Sequence, residues 1–104
     1  MTEQSERQAW AMLTNHGHVL MSIAAAPEIR VREIADRTGI TERAAQRIIG
    51  DLEAAGFVTH TRVGRRNRYQ VDINRTSTHP LERHLDVRSL SERTLAPSQV
   101  EGWK

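Results

Sequence analysis

The sequence predicts a single domain that is mainly α-helical and carries a small β-hairpin, which is an α+β fold. Three observations support this. Apolar residues recur with helical spacing between residues 16 and 55, and two short predicted strands follow at 57–62 and 67–73, the second of which alternates. A length of 104 residues leaves little room for a second domain. We therefore expect helices first, then a hairpin, then one further helix.

The first predicted helix covers about 16–26. Asn15 is its candidate N-cap, and Pro27 ends it because proline cannot continue a helix. Before this helix lies an apolar run, residues 10–13, whose secondary structure the pattern does not decide. After it, Ile29-Arg30-Val31 alternates in hydropathy and predicts a very short strand.

The next two predicted helices are joined by a tight turn. One helix covers about 32–38, and Gly39 follows it at the position where a left-handed residue is usual. Thr41 is a good N-cap for the other helix, which runs to about Ala55 and is stopped by Gly56. The spacing is that of a helix-turn-helix.

The helix at 41–55 has two contrasting faces. Its apolar stripe follows the spacing i, i+3, i+4 and i+7 and comprises Ala45, Ile48, Ile49 and Leu52. At 100° per residue, Arg43, Gln46 and Arg47 point away from that stripe. We therefore predict a buried apolar face and an exposed polar face.

Two predicted strands, Phe57–Arg62 and Asn67–Ile73, are joined by a turn that needs Gly64. The second strand places Tyr69, Val71 and Ile73 on one face, which we expect to be buried. After a polar linker, Pro80 begins a predicted final helix over about 80–95. That helix carries Leu81, Leu85 and Leu90, and residues 96–104 follow as a frayed tail.

Composition excludes several classes of protein. There is no Cys, so disulfides and thiolate sites are excluded, and no apolar run is long enough to span a membrane. His16 and His18 diverge by 200° on a helix and cannot clamp one metal ion. No nucleophile elbow, phosphate loop or metal-hydrolase spacing is present. We expect a cytoplasmic protein that is not an enzyme, with no catalytic residue, metal or cofactor.

The charge of the chain is concentrated in one segment. Residues 57–75 contain five Arg against one acid, a net charge of +4, whereas the whole chain carries only +2. The remainder is therefore at −2. Such a concentrated basic segment is typical of a surface that binds a phosphate backbone.

Residues 16–73 resemble the winged-helix regulators of the MarR and ArsR type. The densest part of the resemblance is residues 31–58, where the residues that match the family's pattern are Ile34, Ala35, Gly39, Ile40, Arg47, Leu52, Gly56 and Val58. The resemblance implies that the helix at 41–55 is a recognition helix that enters a groove of double-stranded DNA, and that the hairpin is a wing beside it. Together with the polar face and the basic hairpin, it identifies the DNA-binding candidates as Thr41, Glu42, Arg43, Gln46, Arg47, Arg62, Arg65, Arg66 and Arg68.

We divide the chain into an N-terminal segment at 1–15, a winged-helix DNA-binding domain at 16–75, and a C-terminal helix and tail at 76–104. The two ends supply a candidate homodimer interface, which joins residues 10–13 to Leu81, Leu85 and Leu90. Alternatively, these residues cap the core of a monomer. A regulator's effector, if it has one, is unknown. Two other functions remain open, a winged-helix module that binds proteins and a nucleic-acid-binding protein without sequence preference.

Overall fold

The computed structural model describes residues 10–96, so residues 1–9 of the N-terminal segment and residues 97–104 of the predicted tail lie outside the described part. The elements in chain order are α1 (Asn15–Ala25), α2 (Val31–Thr38), α3 (Glu42–Ala54), β1 (Val58–Val63), β2 (Arg66–Val71), a short 3₁₀ helix (Pro80–Glu82) and α4 (Val87–Thr94). The predicted α+β fold, a three-helix core with a wing and a further C-terminal helix, is confirmed.

Helices α1, α2 and α3 share one aliphatic core. Ile23 of α1, Ile34 of α2 and Ala45 of α3 are all fully buried, and Val58 at the start of β1 extends the core toward the hairpin. The predicted apolar stripe of α3 is buried along its whole length. The hairpin covers one side of this core with Tyr69, which is also buried.

Helix α1 begins one residue earlier than predicted. Thr14, and not Asn15, is its N-cap, because the Thr14 backbone is extended and its side-chain oxygen accepts a hydrogen bond from the Gly17 N–H. Threonine and asparagine are both good caps, so the sequence did not distinguish them.

The predicted strand at 29–31 is wrong. The Ile29 N–H is used in a turn, where it donates to the Ala26 carbonyl, and the Arg30 N–H donates to the Glu33 carboxylate at the start of α2. Val31 is already helical. One hydrogen bond still links this region to the hairpin, from the Tyr69 N–H to the Pro27 carbonyl.

The turns around α3 are those predicted. Gly39 ends α2 with φ at 81°, and the Thr41 Oγ1 accepts from the Ala44 N–H at 3.0 Å. After α3, Gly56 has φ at 84°, and the Arg75 guanidinium lies against it, in the space that a Cβ would occupy. Glycine is therefore favoured at position 56 by backbone conformation, whereas the exposed Arg75 side chain could move away from a Cβ.

The hairpin register pairs Val58 with Val71 at one end and Val63 with Arg66 at the other. Its two-residue loop is Gly64-Arg65, in which Gly64 alone has a positive φ, 64°. Glycine at the first loop position with a negative φ at the second describes a type II′ turn, whose twist suits a hairpin. The predicted requirement for Gly64 is confirmed.

The single helix predicted over 80–95 is wrong. A 3₁₀ turn comes first, and α4 starts anew at Val87 because the Asp86 carboxylate caps it, accepting from the Ser89 N–H at 2.7 Å. Leu81 is 90% exposed and packs in no core. Hydrogen bonds from Val87 to the Arg75 carbonyl and from Arg88 to the Ile73 carbonyl tie α4 to the end of the hairpin.

Candidate nucleic-acid interface

Helix α3 presents a polar face opposite its buried stripe. Arg43, Gln46 and Arg47 are all exposed, as is Gly50 one turn further on. The predicted outward orientation of this face is confirmed. Because the buried stripe fixes the rotation of the helix about its axis, these side chains leave the molecule in one direction.

The start of α3 adds two candidates, Thr41 and Glu42, and both are exposed. The Thr41 hydroxyl oxygen accepts one hydrogen bond as the N-cap, which leaves its proton and its second lone pair for a partner. Glu42 lies in the first turn, where a carboxylate interacts favourably with the positive end of the helix dipole.

The hairpin carries the other four candidates, and all are exposed: Arg62, Arg65, Arg66 and Arg68. Arg62 is paired with Asn67 and Arg68 with Thr61, so these two arginines lie on opposite faces of the hairpin. Arg65 occupies the turn itself. The guanidinium groups therefore surround the outer part of the wing.

Few of these charges are neutralised by the protein. Arg68 lies 3.8 Å from the Glu28 carboxylate, and both side chains are more than half exposed. The Arg62 Nε–H donates to the Gly64 carbonyl within the turn. Within residues 10–96, no carboxylate forms an ion pair with Arg43, Arg47, Arg62, Arg65 or Arg66. The positive charge of this surface is thus available to a partner.

Two histidine–carboxylate contacts join α3 to α1 and to β1. The sequence does not predict either contact. The His16 Nε2 of α1 lies 2.9 Å from the Asp51 carboxylate, and the His60 Nδ1 of β1 is hydrogen-bonded to Glu53. His60 also meets Tyr69 edge to face, with the ring centroids 6.0 Å apart. Partners so far apart in sequence cannot be paired from spacing alone.

The position of Arg30 near the wing is not predicted by the sequence, which favours a strand at 29–31. The structure places Arg30 at the N-cap of α2, where it lines a cavity together with three arginines of the wing. A change from strand to helix cap alters the direction of the side chain. The alternation in hydropathy at 29–31 gave no sign of that change.

A mainly apolar groove of about 370 Å³ lies on another part of the molecule. Residues of its lining come from the N-terminal segment, the end of α3 and the C-terminal region, and include Met12, Leu13, Phe57, Leu85 and Leu90. Trp10, Met12 and Leu81 are each at least nine-tenths exposed. The structure thus brings part of the predicted dimer interface together, while Trp10 and Leu81 do not line the groove.

Asp86 lies on the wall of this groove and has a perturbed acidity. Hydrogen bonds that its carboxylate receives from the Ser89 backbone and side chain lower its pKa below the ordinary 3.8. The charged carboxylate is therefore the form that caps α4.

The described residues contain neither a cluster of metal-ligating side chains nor a helix that could cross a membrane. Between residues 10 and 96, no three His, Asp or Glu side chains come together as metal ligands would. None of the helices in that part of the chain is long and apolar enough to cross a membrane.

Comparison with known proteins identifies one family. The sequence profile of the MarR family matches residues 12–68, which is more than half of the chain. A search of curated proteins gave no match. MarR proteins are DNA-binding regulators of transcription and not enzymes, which agrees with the helix-turn-helix and wing described above. The chain belongs to the MarR family.

Proposed function

We propose that this protein binds double-stranded DNA at specific sequences, as a homodimer, and thereby regulates transcription in the cytoplasm. The observation that carries the proposal is the pairing of two exposed basic features. One is the polar face of α3, and the other is the arginine-rich wing, where four guanidinium groups occupy seven consecutive residues.

The N-terminal half of α3 is suited to reading bases. In the major groove, arginine pairs with guanine through two hydrogen bonds, glutamine pairs with adenine, and glutamate accepts from cytosine. Arg43, Gln46 and Arg47 lie within the first two turns of α3, the part of a recognition helix that usually contacts base edges. Glu42 and Thr41 extend the same surface to the helix start.

The wing is suited to contacting the DNA backbone. Like charges held this close repel one another, so they do not stabilise the isolated fold. A polyanion relieves that repulsion. By the docking geometry of winged helices, Arg62, Arg65, Arg66 and Arg68 would lie along phosphates or in the minor groove beside α3.

A homodimer would double the number of bases that one protein reads. The proposed interface comprises the apolar groove, which Met12 lines, and the exposed Leu81 outside the groove. In this proposal residues 1–15 and 76–104 provide the dimer contacts, and residues 16–75 bind DNA. Two copies related by a two-fold axis would contact half-sites about 10 base pairs apart.

Selection from a pool of random duplexes tests the proposal. We expect enrichment of a two-fold symmetric motif by the wild-type chain, and loss of that enrichment by the Arg43→Ala/Arg47→Ala double variant. Tight binding without an enriched motif would support a protein that binds nucleic acid without sequence preference. No binding to any duplex would contradict the proposal and favour a module that binds an acidic protein surface.

A further inference from the structure

The apolar groove leaves part of its own lining uncovered. Met12 is almost fully exposed there, although it borders side chains of the core. Exposed apolar area gains no hydrophobic stabilisation until something covers it. Four further apolar residues of the lining are only half-buried: Leu13, Phe57, Leu85 and Leu90. The groove therefore suits an apolar occupant.

The polar part of the same lining carries more acid than base. Asp51, Glu82 and Asp86 contribute three negative charges and Arg75 one positive charge, which gives a net charge of −2 with histidine neutral. Among residues 10–96, Arg75 forms no ion pair with a carboxylate. An occupant that carries both a cation and a carboxylate beside an apolar side chain would match this lining.

The segment that follows the described part contains these three groups close together. Within residues 97–104, Trp103 has Glu101 two residues before it and Lys104 directly after it. An indole has one of the largest apolar surfaces of any side chain. Residues 1–9, at the other end of the described part, contain no aromatic residue. The segment 97–104 is thus the better match for the groove.

The chain is long enough for Trp103 to reach the groove of its own molecule. Val87, the first residue of α4, lines the groove, and the eight residues of α4 span about 12 Å. From Leu95 to Trp103 the chain advances by eight residues, which reach up to about 26 Å when extended. A ligand on so short a connection has an effective concentration on the order of millimolar, far above that of a second copy in a micromolar solution.

We propose that residues 97–104 fold back within the same molecule and place the Trp103 indole in the apolar groove. The groove volume of about 370 Å³ is sufficient for one indole side chain. The Lys104 ammonium would then lie near the acidic lining, and the Glu101 carboxylate would lie near the Arg75 guanidinium. The docked segment would cover the surface that the proposed homodimer uses, and would therefore weaken self-association. In this last respect alone the inference rests on the proposed function.

The first arm of the test measures the surroundings of the Trp103 indole by fluorescence. Trp10→Phe removes the other tryptophan, which is exposed and does not line the groove. We expect blue-shifted emission that is the same from nanomolar to high micromolar concentrations of the chain.

In that background, a matched pair of variants locates the indole. Met12→Ser should raise the undocked fraction about tenfold, read from quenching by acrylamide, because Met12 lines the groove. Leu81→Ser is the control, since Leu81 is an exposed apolar residue outside the groove, and it should change quenching less than about twofold. Both residues are at least nine-tenths exposed, so neither variant should unfold the chain.

The second arm measures self-association of the full chain by analytical ultracentrifugation. Trp103→Ser should lower the dimer dissociation constant on the order of tenfold, because no docked segment then competes with the second copy. Trp103→Phe keeps an aromatic ring and should stay within about threefold of the wild type. A higher dissociation constant for Trp103→Ser would assign Trp103 to the interface between copies and overturn the inference.

Emission of a fully exposed indole, or a blue shift that develops only as the concentration rises, would also overturn the inference. Equal quenching in Met12→Ser and Leu81→Ser would do the same. A blue shift at every concentration, in a chain that stays monomeric throughout, would keep the docked segment and refute the proposed homodimer. A stable dimer whose Trp103 is exposed would do the reverse.

Discussion

The polar face of α3 with the wing and the apolar groove are surfaces of opposite character. The first, which we call the basic surface, exposes guanidinium groups that the described residues rarely pair. The groove exposes aliphatic side chains, with Met12 98% accessible. Neither arrangement stabilises an isolated chain, because like charges repel and exposed apolar area gains nothing from the hydrophobic effect. We propose a partner of matching chemistry for each, a polyanion for the basic surface and an apolar surface for the groove.

The two surfaces also differ in how they are held. The basic surface lies on α3, whose opposite face is buried, and on a hairpin that Val58 and Tyr69 anchor to the core. The groove lies between the N-terminal segment, α3 and the C-terminal region, which are held by the caps of Thr14 and Asp86 and by the hydrogen bonds of Val87 and Arg88. We therefore expect substitutions on the basic surface to change binding without changing folding, and substitutions near the groove to affect assembly.

The largest expected effect is that of salt on DNA affinity. If each protomer neutralises about three phosphates, a dimer neutralises about six, and the log–log slope is near −5. Affinity should then fall about 1,000-fold between 50 and 200 mM salt. The Arg65→Ala/Arg66→Ala double variant should flatten the slope while changing the free energy of unfolding by less than about 0.5 kcal/mol. A wild-type affinity that does not change with salt concentration would show that the basic surface does not bind DNA through its charges.

Next is Arg47→Ala, which tests base reading by α3. We expect a loss of about 1–3 kcal/mol on the preferred site, from about fivefold to 150-fold in affinity, and relaxed preference at one base pair per half-site. The loss on random DNA should be smaller, because only a base-specific contact disappears. Competition binding with single-base variants of the site measures both. A folded variant that binds every duplex as well as wild type would contradict the recognition-helix assignment.

The proposed homodimer predicts an effect of Leu81→Ser on assembly. Leu81 is 90% exposed, so its loss should leave folding intact, but burial of a leucine at an interface is worth about 1.5–3 kcal/mol. The dimer dissociation constant should rise by about tenfold or more, as measured by analytical ultracentrifugation. Val63→Ser is the control, because Val63 is an exposed apolar residue of the wing. Equal behaviour of the two variants would show that this region is not the interface.

Gly50→Ala tests whether the basic surface is kept at a cost in stability. No heavy atom lies within 4 Å of the position that a Cβ would take, so alanine fits without a clash. Alanine should raise the free energy of unfolding by about 0.5–1 kcal/mol, because glycine loses more conformational entropy in a helix. Chemical denaturation measures the change, and Ala54→Gly on the same exposed face should act in the opposite direction. A loss of stability in Gly50→Ala would contradict the orientation of α3.

The smallest effect concerns pH and Asp86. Because the pKa of Asp86 is lowered in the folded chain, its stabilising contribution is full above the ordinary value of 3.8 and disappears as the pH falls through the folded value. Asp86→Asn keeps a capping side chain that does not titrate. Melting curves across this acidic range should therefore show a smaller loss in the variant than in the wild type. An equal loss in both would mean that other carboxylates account for the acid sensitivity.

Local signals in the sequence predicted the central part of the fold well. Gly39, Thr41, Gly56 and Gly64 were identified because each position needs a backbone conformation or a capping group that few residue types supply. The same signals failed at 29–31, where alternation over three residues suits a strand or a capped helix start equally well. They failed again at 80–95, because Asp86 was not recognised as a cap that starts a new helix.

The candidate site was predicted in the same uneven way. The outward direction of Arg43, Gln46 and Arg47 followed from helical periodicity, and the exposure of the wing arginines followed from the turn that contains them. Arg30, in contrast, lies near the wing only because the tertiary fold brings the start of α2 beside the hairpin. Whether the residues of either group bind DNA remains a prediction.

By itself, the sequence determined the order of the helices and the hairpin, the buried stripe of α3 and the concentration of arginine in the wing. These properties depend on residues that are neighbours along the chain, so spacing and composition suffice to predict them. Only the tertiary structure decided that Arg30 joins Arg62, Arg65 and Arg66 around one cavity, that His16 and His60 brace α3, and that the two ends of the domain form one apolar groove. Such contacts join residues far apart in sequence, and their formation depends on how the shared aliphatic core orients each element.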